Sequence, residues 1–335
     1  MQMRLIYLMG LLFSFSLFSC NATYRKETKY TDFIIKSNKL YALTANGHIN
    51  TLDINTEAVI DTNIHADTTI TAISIDKTKN IVVAKSDQKT NLFNEQKQSF
   101  DNSFTATSPI YNIVFDNNNK EYLITENGIT DVNTRKVYFP DSSFHYVQNF
   151  WLKPSAVLVD NNNNIWIGSA RGEWGGKLCM FDTKTTKFIK PILDDIDPVN
   201  SIFSDGNSVY VSFGLAHMII TGSILKFTAD THTVIFNSKT DLINIEGKNK
   251  TVEGEFVGPA IYNEKNNCIY FYSQNGLFKG NKYKDLTKIN GWTKVASPKL
   301  HWTSVGSHAV GPSMNILKMQ FANNGKLFFV TQSDV

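Results

Sequence analysis

The chain has 335 residues with a formal net charge of +3, 42% hydrophobic and 19% charged. The apolar share supports a sizeable folded core, and the 12% aromatic content excludes a mostly disordered chain. Collagen-like and multi-span membrane compositions are absent, and without a Lys/Arg block the small charge does not point to nucleic acid.

At the N-terminus, Arg4 precedes an apolar run from Leu5 to Phe18, the pattern of a secretory signal peptide. The run ends in Leu17-Phe18-Ser19-Cys20. This resembles the bacterial lipoprotein box, in which a small residue precedes the cysteine that is lipidated, with Phe18 a bulkier departure. The resemblance implies cleavage after residue 19 and acyl chains on Cys20, which anchor a protein without making it span the membrane. The expected organisation is a signal peptide over 1–19, a tether over 20–31 and one folded domain over 32–335. The location is the bacterial cell envelope, facing periplasm or exterior. The two other cysteines, Cys179 and Cys268, lie in strand-like runs and read as buried thiols on separate strands, with a bridge between them left open.

The remaining chain repeats. Each copy is a short apolar strand, an Asp/Asn-rich turn and an alternating second strand, as in Ile73-Ser74-Ile75-Asp76 leading to Ile81-Val82-Val83. Corresponding second-strand positions are Tyr41, Val82, Tyr122, Trp166, Tyr210, Tyr270 and Phe328. They recur about every 40–44 residues over the first five and widen to about 60 over the last two, which signals insertions there. Third strands follow at 49–53, 89–93, 128–132 and 177–182, and fourth strands at 58–60, 136–139 and 187–189. Four short antiparallel strands per unit predict an all-β propeller, and the seven phases predict seven four-stranded blades with an incomplete or atypical last one. For that last unit, a fragmentary chain, a partial blade or a shifted phase over 281–313 are all open, and with them a count of six or eight.

The fourth copy, Val159-Asp160-Asn161-Asn162-Asn163-Asn164-Ile165-Trp166-Ile167-Gly168-Ser169, resembles the repeat of two-component-regulator-type propellers. Gly128-Ile129 and Gly276-Leu277 match that repeat's closing Gly-apolar pair. In that family the propeller is a sensing module fused to a kinase; this sequence shows no kinase, so signalling is not carried over. The repeats are also similar to those of streptogramin-lyase-like propellers. That resemblance implies a metal-assisted lyase with a Glu-x-His pair, which occurs nowhere in this sequence.

Candidate contacts come from the segments that interrupt the repeat. Arg171-Gly172-Glu173-Trp174-Gly175-Gly176 sits between strands two and three of the fourth copy. Glu253–Pro259 and Ser307–Pro312 precede the sixth and seventh copies and share Val-Gly-Pro. Arg171, Glu173, Trp174, Glu255 and His308 are therefore the candidate ligand-binding residues on one rim, since Arg and Trp suit recognition. No nucleophile elbow, phosphate loop or metal-spaced histidine group is present. The reading is a non-catalytic, lipid-anchored monomer with no cofactor or metal, binding an envelope protein, peptide or glycan. The alternative is a propeller lyase or hydrolase with a His/acid site at the channel mouth.

Overall fold

The computed structural model describes residues 28–140, 153–190, 193, 196–216, 219–228, 231–245, 248–297 and 316–331. Strands β1 (Tyr30–Lys36), β2 (Lys39–Thr44), β3 (Ile49–Asp53) and β4 (Val59–Ile64) pair in chain order as blade I. Blade II holds β5 (Ile70–Ile75), β6 (Ile81–Lys85), β7 (Lys89–Asn94) and β8 (Ser99–Thr105). Blade III holds β9 (Ile110–Phe115), β10 (Glu121–Thr125), β11 (Gly128–Asp131) and β12 (Val137–Tyr138). Blade IV follows with β13 (Ala156–Val159), β14 (Asn164–Ala170), β15 (Gly176–Asp182) and β16 (Lys187–Ile189). Blade V is β17 (Val199–Ser204), β18 (Val209–Ala216), β19 (Ile220–Thr228) and β20 (Thr231–Lys239). A separate hairpin, β21 (Asp241–Ile245) and β22 (Lys248–Val252), precedes blade VI. Blade VI is β23 (Ala260–Asn263), β24 (Cys268–Ser273), β25 (Gly276–Asn281) and β26 (Thr293–Ala296). Last comes a two-stranded sheet of β27 (Ile316–Phe321) and β28 (Leu327–Thr331).

The architecture is an all-β propeller of antiparallel four-stranded blades, but it has six blades in the ring and not the expected seven. The seventh repeat phase, around Phe328, forms only the β27–β28 hairpin, to which no third or fourth strand pairs among the described residues. That hairpin packs between blades VI and I. Repeat period alone counts first and second strands, and so counts a unit from which only two strands pair among the described residues.

β-Branched and aromatic residues let the second strands, such as β6 and β24, bury both faces against neighbouring blades. The core is accordingly a series of inter-blade clusters. Tyr41 and Leu43 of blade I meet Ile81 and Val83 of blade II. Trp166 of blade IV meets Phe213 and Phe227 of blade V. Phe33 and Leu40 of blade I meet Phe328 and Val330 of the closing hairpin. Cys179 lies in the cluster between blades III and IV, and Cys268 in that between blade VI and the hairpin; both are buried free thiols.

The first turn of a blade has a repeating chemistry. In blade IV, Asp160 Oδ1 accepts from the N–H groups of Asn162 and Asn164, each at 2.8 Å, and Asp160 Oδ2 accepts from Trp166 Nε1 at 2.9 Å. Asn163, between them, adopts a left-handed φ of 66°. Asp116 repeats this in blade III with the N–H groups of Asn118 and Lys120, and Asn119 takes φ 63°. Asp and Asn are favoured there because a short acceptor side chain closes the turn on its own backbone and Asn tolerates the left-handed region.

Candidate functional site

In a four-stranded meander, the turns between strands one and two and between strands three and four share one end. The turns between strands two and three share the other end with the blade-to-blade connections. The ring therefore has a turn rim and a connection rim of different character.

The turn rim is closed by a belt of polar contacts at each junction. Lys36 and Tyr41 of blade I bond Glu95 of blade II. The Lys77 N–H of blade II donates to Asn119 Oδ1 of blade III at 2.8 Å, and the Asn117 N–H of blade III to Asn163 Oδ1 of blade IV at 2.7 Å. Asn161 of blade IV reaches the Gly206 carbonyl of blade V. Lys282 of blade VI pairs with Asp205 of blade V at 2.9 Å. Lys265 of blade VI donates to the Asn323 carbonyl in the closing hairpin. Lys326 in that hairpin pairs with Glu57 of blade I at 2.9 Å.

The connection rim carries Arg171, Glu173, Trp174 and Glu255 of the residues singled out in the sequence. Arg171, Glu173 and Trp174 lie in the β14–β15 turn, where Gly172–Trp174 forms one 3₁₀ turn. Two glycines permit it: Gly172 and Gly175 have φ of 58° and 76°. The backbone is pinned by Arg171 N–H to Gly175 O at 2.8 Å and by Gly176 N–H to Ile196 O at 2.9 Å. The Trp174 side chain is 78% exposed, while Arg171 is half-buried.

Glu255 is on the same rim, in the connection leading into blade VI. The expected Val257-Gly258-Pro259 lead-in does run directly into β23. The carboxylate of Glu255 is not aimed at solvent alone: Ser273 Oγ donates to it, as does Asn275 Nδ2 at 2.9 Å. Burial pushes its pKa up, against the lowering influence of Asn275. Glu255 thus braces the connection onto the β24–β25 turn. Contact runs from the Trp174 turn to this brace through neighbouring backbone: Asp197 Oδ2 accepts from Thr221 Oγ1 at 2.6 Å, and the adjacent Gly222 packs on Glu255 and Val257. Arg171, Glu173, Trp174 and Glu255 thus lie at the connection-rim end of blades IV to VI. His308 and Cys20 lie outside the described residues.

Sequence reading missed Lys85, the last residue of β6. Its side chain is 2% exposed and its ammonium pairs with Asp67 at 2.6 Å, with Asp87 at 3.9 Å. The Lys85 hydrogen bond holds Asp67 below the usual carboxylate range. The available signal was a lysine closing the apolar run Ile81-Val82-Val83-Ala84. His48 and His65 adjoin at the same rim, ring centroids 5.8 Å apart. Among the described residues, no three His, Cys, Asp or Glu side chains group as a metal site requires.

No family model matches the chain, and none of the curated proteins matches it. Solved structures do. The chain is similar to the computationally designed Ika8 protein, with TM-score 0.54 and 13% identity over 91% of this chain and 84% of that one. It is likewise similar to the β-propeller domain of Myceliophteria thermophila Cps50 (Swd1), with TM-score 0.54 and 13% identity over 92% of this chain and 98% of that one. Fold and comparison together define the class, a β-propeller; identity this low speaks to fold alone.

Proposed function

We propose that this protein is a binding propeller held at the bacterial cell envelope by lipid on Cys20, engaging a protein, peptide or glycan through its connection rim. The observation that carries the reading is Trp174: a large indole 78% exposed on a turn whose backbone is fixed at both ends. An exposed, pre-positioned aromatic beside an arginine loses little entropy on contact and supplies the apolar area typical of binding hot spots. The connection rim carries further exposed apolar side chains in Ile219 and Leu317. The enzyme alternative needs a His/acid site at the channel mouth, and the candidate His308 lies outside the described residues.

The test compares wild type with an Arg171→Ala/Trp174→Ala double variant on arrays of envelope glycans and peptides. Loss of at least about tenfold in affinity for the bound set is expected, the scale of a hot-spot truncation. Equal binding of the same ligands by both proteins would remove the rim assignment. Anchoring is tested separately: Cys20→Ser should no longer incorporate labelled fatty acid, and continued incorporation refutes it.

A further inference from the structure

A cleft of about 150 Å³ opens between blades V and VI at the turn rim, well away from Trp174. Its floor is apolar, made by Ile235, Ile269, Leu286 and the Tyr210 ring. Its charged lining is Lys226, Lys282, Lys284 and Asp285. Two of these groups are committed internally. Lys282 pairs with Asp205 at 2.9 Å, and Asp285 accepts from the N–H and hydroxyl of Thr287 at 2.9 and 2.7 Å. Lys226 and Lys284 have no carboxylate at ion-pair distance among the described residues. Lys226 stands beside Tyr210 in the β18–β19 register, and is half-buried. An anion entering the cleft can pair with both ammonium groups without displacing a described carboxylate.

We propose that this cleft is a second, separate binding site for a compact monocarboxylic acid with an apolar body. Charge sets the monoanion: among the described residues, three ammonium groups stand against the two carboxylates of Asp205 and Asp285, leaving one net positive charge. The apolar floor sets the body, since burying its surface against Ile235, Ile269 and Leu286 adds hydrophobic stabilisation that a bare inorganic anion cannot gain. The small volume sets the size to a single ring or short chain. The cleft is held open by the blade VI turn that follows β25, where Trp292 Nε1 donates to the Leu286 carbonyl at 2.8 Å.

Isothermal titration of the purified protein with benzoate, benzamide and inorganic phosphate tests this. Benzoate should bind saturably with a Kd of about 1 mM or tighter. Lys226→Met and Lys284→Ala should each weaken benzoate at least about tenfold, and benzamide and phosphate should bind at least about tenfold more weakly than benzoate. Lys284 is exposed, so its variant keeps the test valid if Lys226→Met fails to fold. Trp174→Ala should leave benzoate affinity unchanged, which separates failure here from failure of the rim assignment. Absence of saturable benzoate binding, equal binding of benzamide or phosphate, or unchanged affinity in both lysine variants would overturn the proposal.

Discussion

The backbone N–H of Lys77 donates to Asn119 Oδ1 at 2.8 Å, although the two belong to different blades. Asn119 is also the left-handed residue of its own turn, at φ 63°. One side chain type therefore serves two ends: it tolerates the turn's backbone and clasps the neighbouring turn. Asn163 does the same for Asn117 at 2.7 Å.

This dual role is separable by mutation. Asn163→Ala should destabilise by about 1–2 kcal/mol, combining left-handed strain with a lost hydrogen bond. Asn163→Gly should recover the strain part and retain the rest. Urea denaturation midpoints of the two variants check the order; equal losses would contradict the strain part, and full recovery by glycine would contradict the clasp.

Asp160→Ala should be more damaging. It removes the acceptor for two backbone N–H groups, the Asn164 amide and the buried Trp166 Nε1. Leaving a buried indole N–H unpaired along with the open turn should cost about 2–4 kcal/mol. Denaturant titration followed by tryptophan fluorescence measures it.

Gly276→Ala tests the closing Gly-apolar pair. Gly276 has φ of 131°, and a Cβ there would collide with the Ala296 carbonyl of β26. A loss of about 2 kcal/mol or more is expected, because both the backbone region and the space exclude a side chain. Gly128, with φ of 115° against the Tyr138 carbonyl, should behave alike in blade III.

Glu121 gives a pH signature. Burial raises its pKa above the ordinary 4.5, opposed by Thr90, and its Oε1 is buried without a hydrogen-bond partner. A carboxyl whose folded pKa is raised costs stability when ionised, and the cost fades as pH falls through the folded pKa towards 4.5. Glu121→Gln should therefore be stabilising at pH 7, by up to about 1 kcal/mol. The gain should shrink on acidification. Melting temperatures across pH 4 to about 7 decide it; a gain that grows on acidification contradicts the assignment.

Trp174→Ala should leave stability within about 0.5 kcal/mol of wild type, since the side chain is 78% exposed. A larger loss in thermal melts would mark the indole as packed rather than presented.

Much of the fold was legible because its determinants are local. Tyr41, Val82, Tyr122, Trp166, Tyr210, Tyr270 and Phe328 all lie in the second strand of their units. Asp160 and Trp166, six residues apart, form their bond within one hairpin. The Gly-apolar pair reads as sequence and resolves into a positive φ. The number of blades was not legible, because a two-stranded unit carries the same second-strand mark as a complete one. Nor did the wide spacing before Tyr270 disclose that its extra residues include the β21–β22 hairpin. In the candidate site, the exposed Trp174 turn followed from its interruption of the repeat. The bracing of Glu255 by Ser273 and Asn275 did not, because those partners come from the next blade's second turn. Lys282 and Asp205 stand 77 residues apart, and no local pattern announces such a pair.

The cluster that joins Phe33, Leu40 and Ala42 to Phe328 and Val330 has a consequence for biosynthesis. Every other inter-blade cluster unites neighbours in the chain, so each can form as soon as the next blade emerges. Blade I must instead present one apolar face to solvent through nearly the whole of translation, until residues near 330 arrive to cover it. That interval exposes a sticky, half-finished surface to competing chains, and makes the nascent first blade the segment most in need of a holding chaperone.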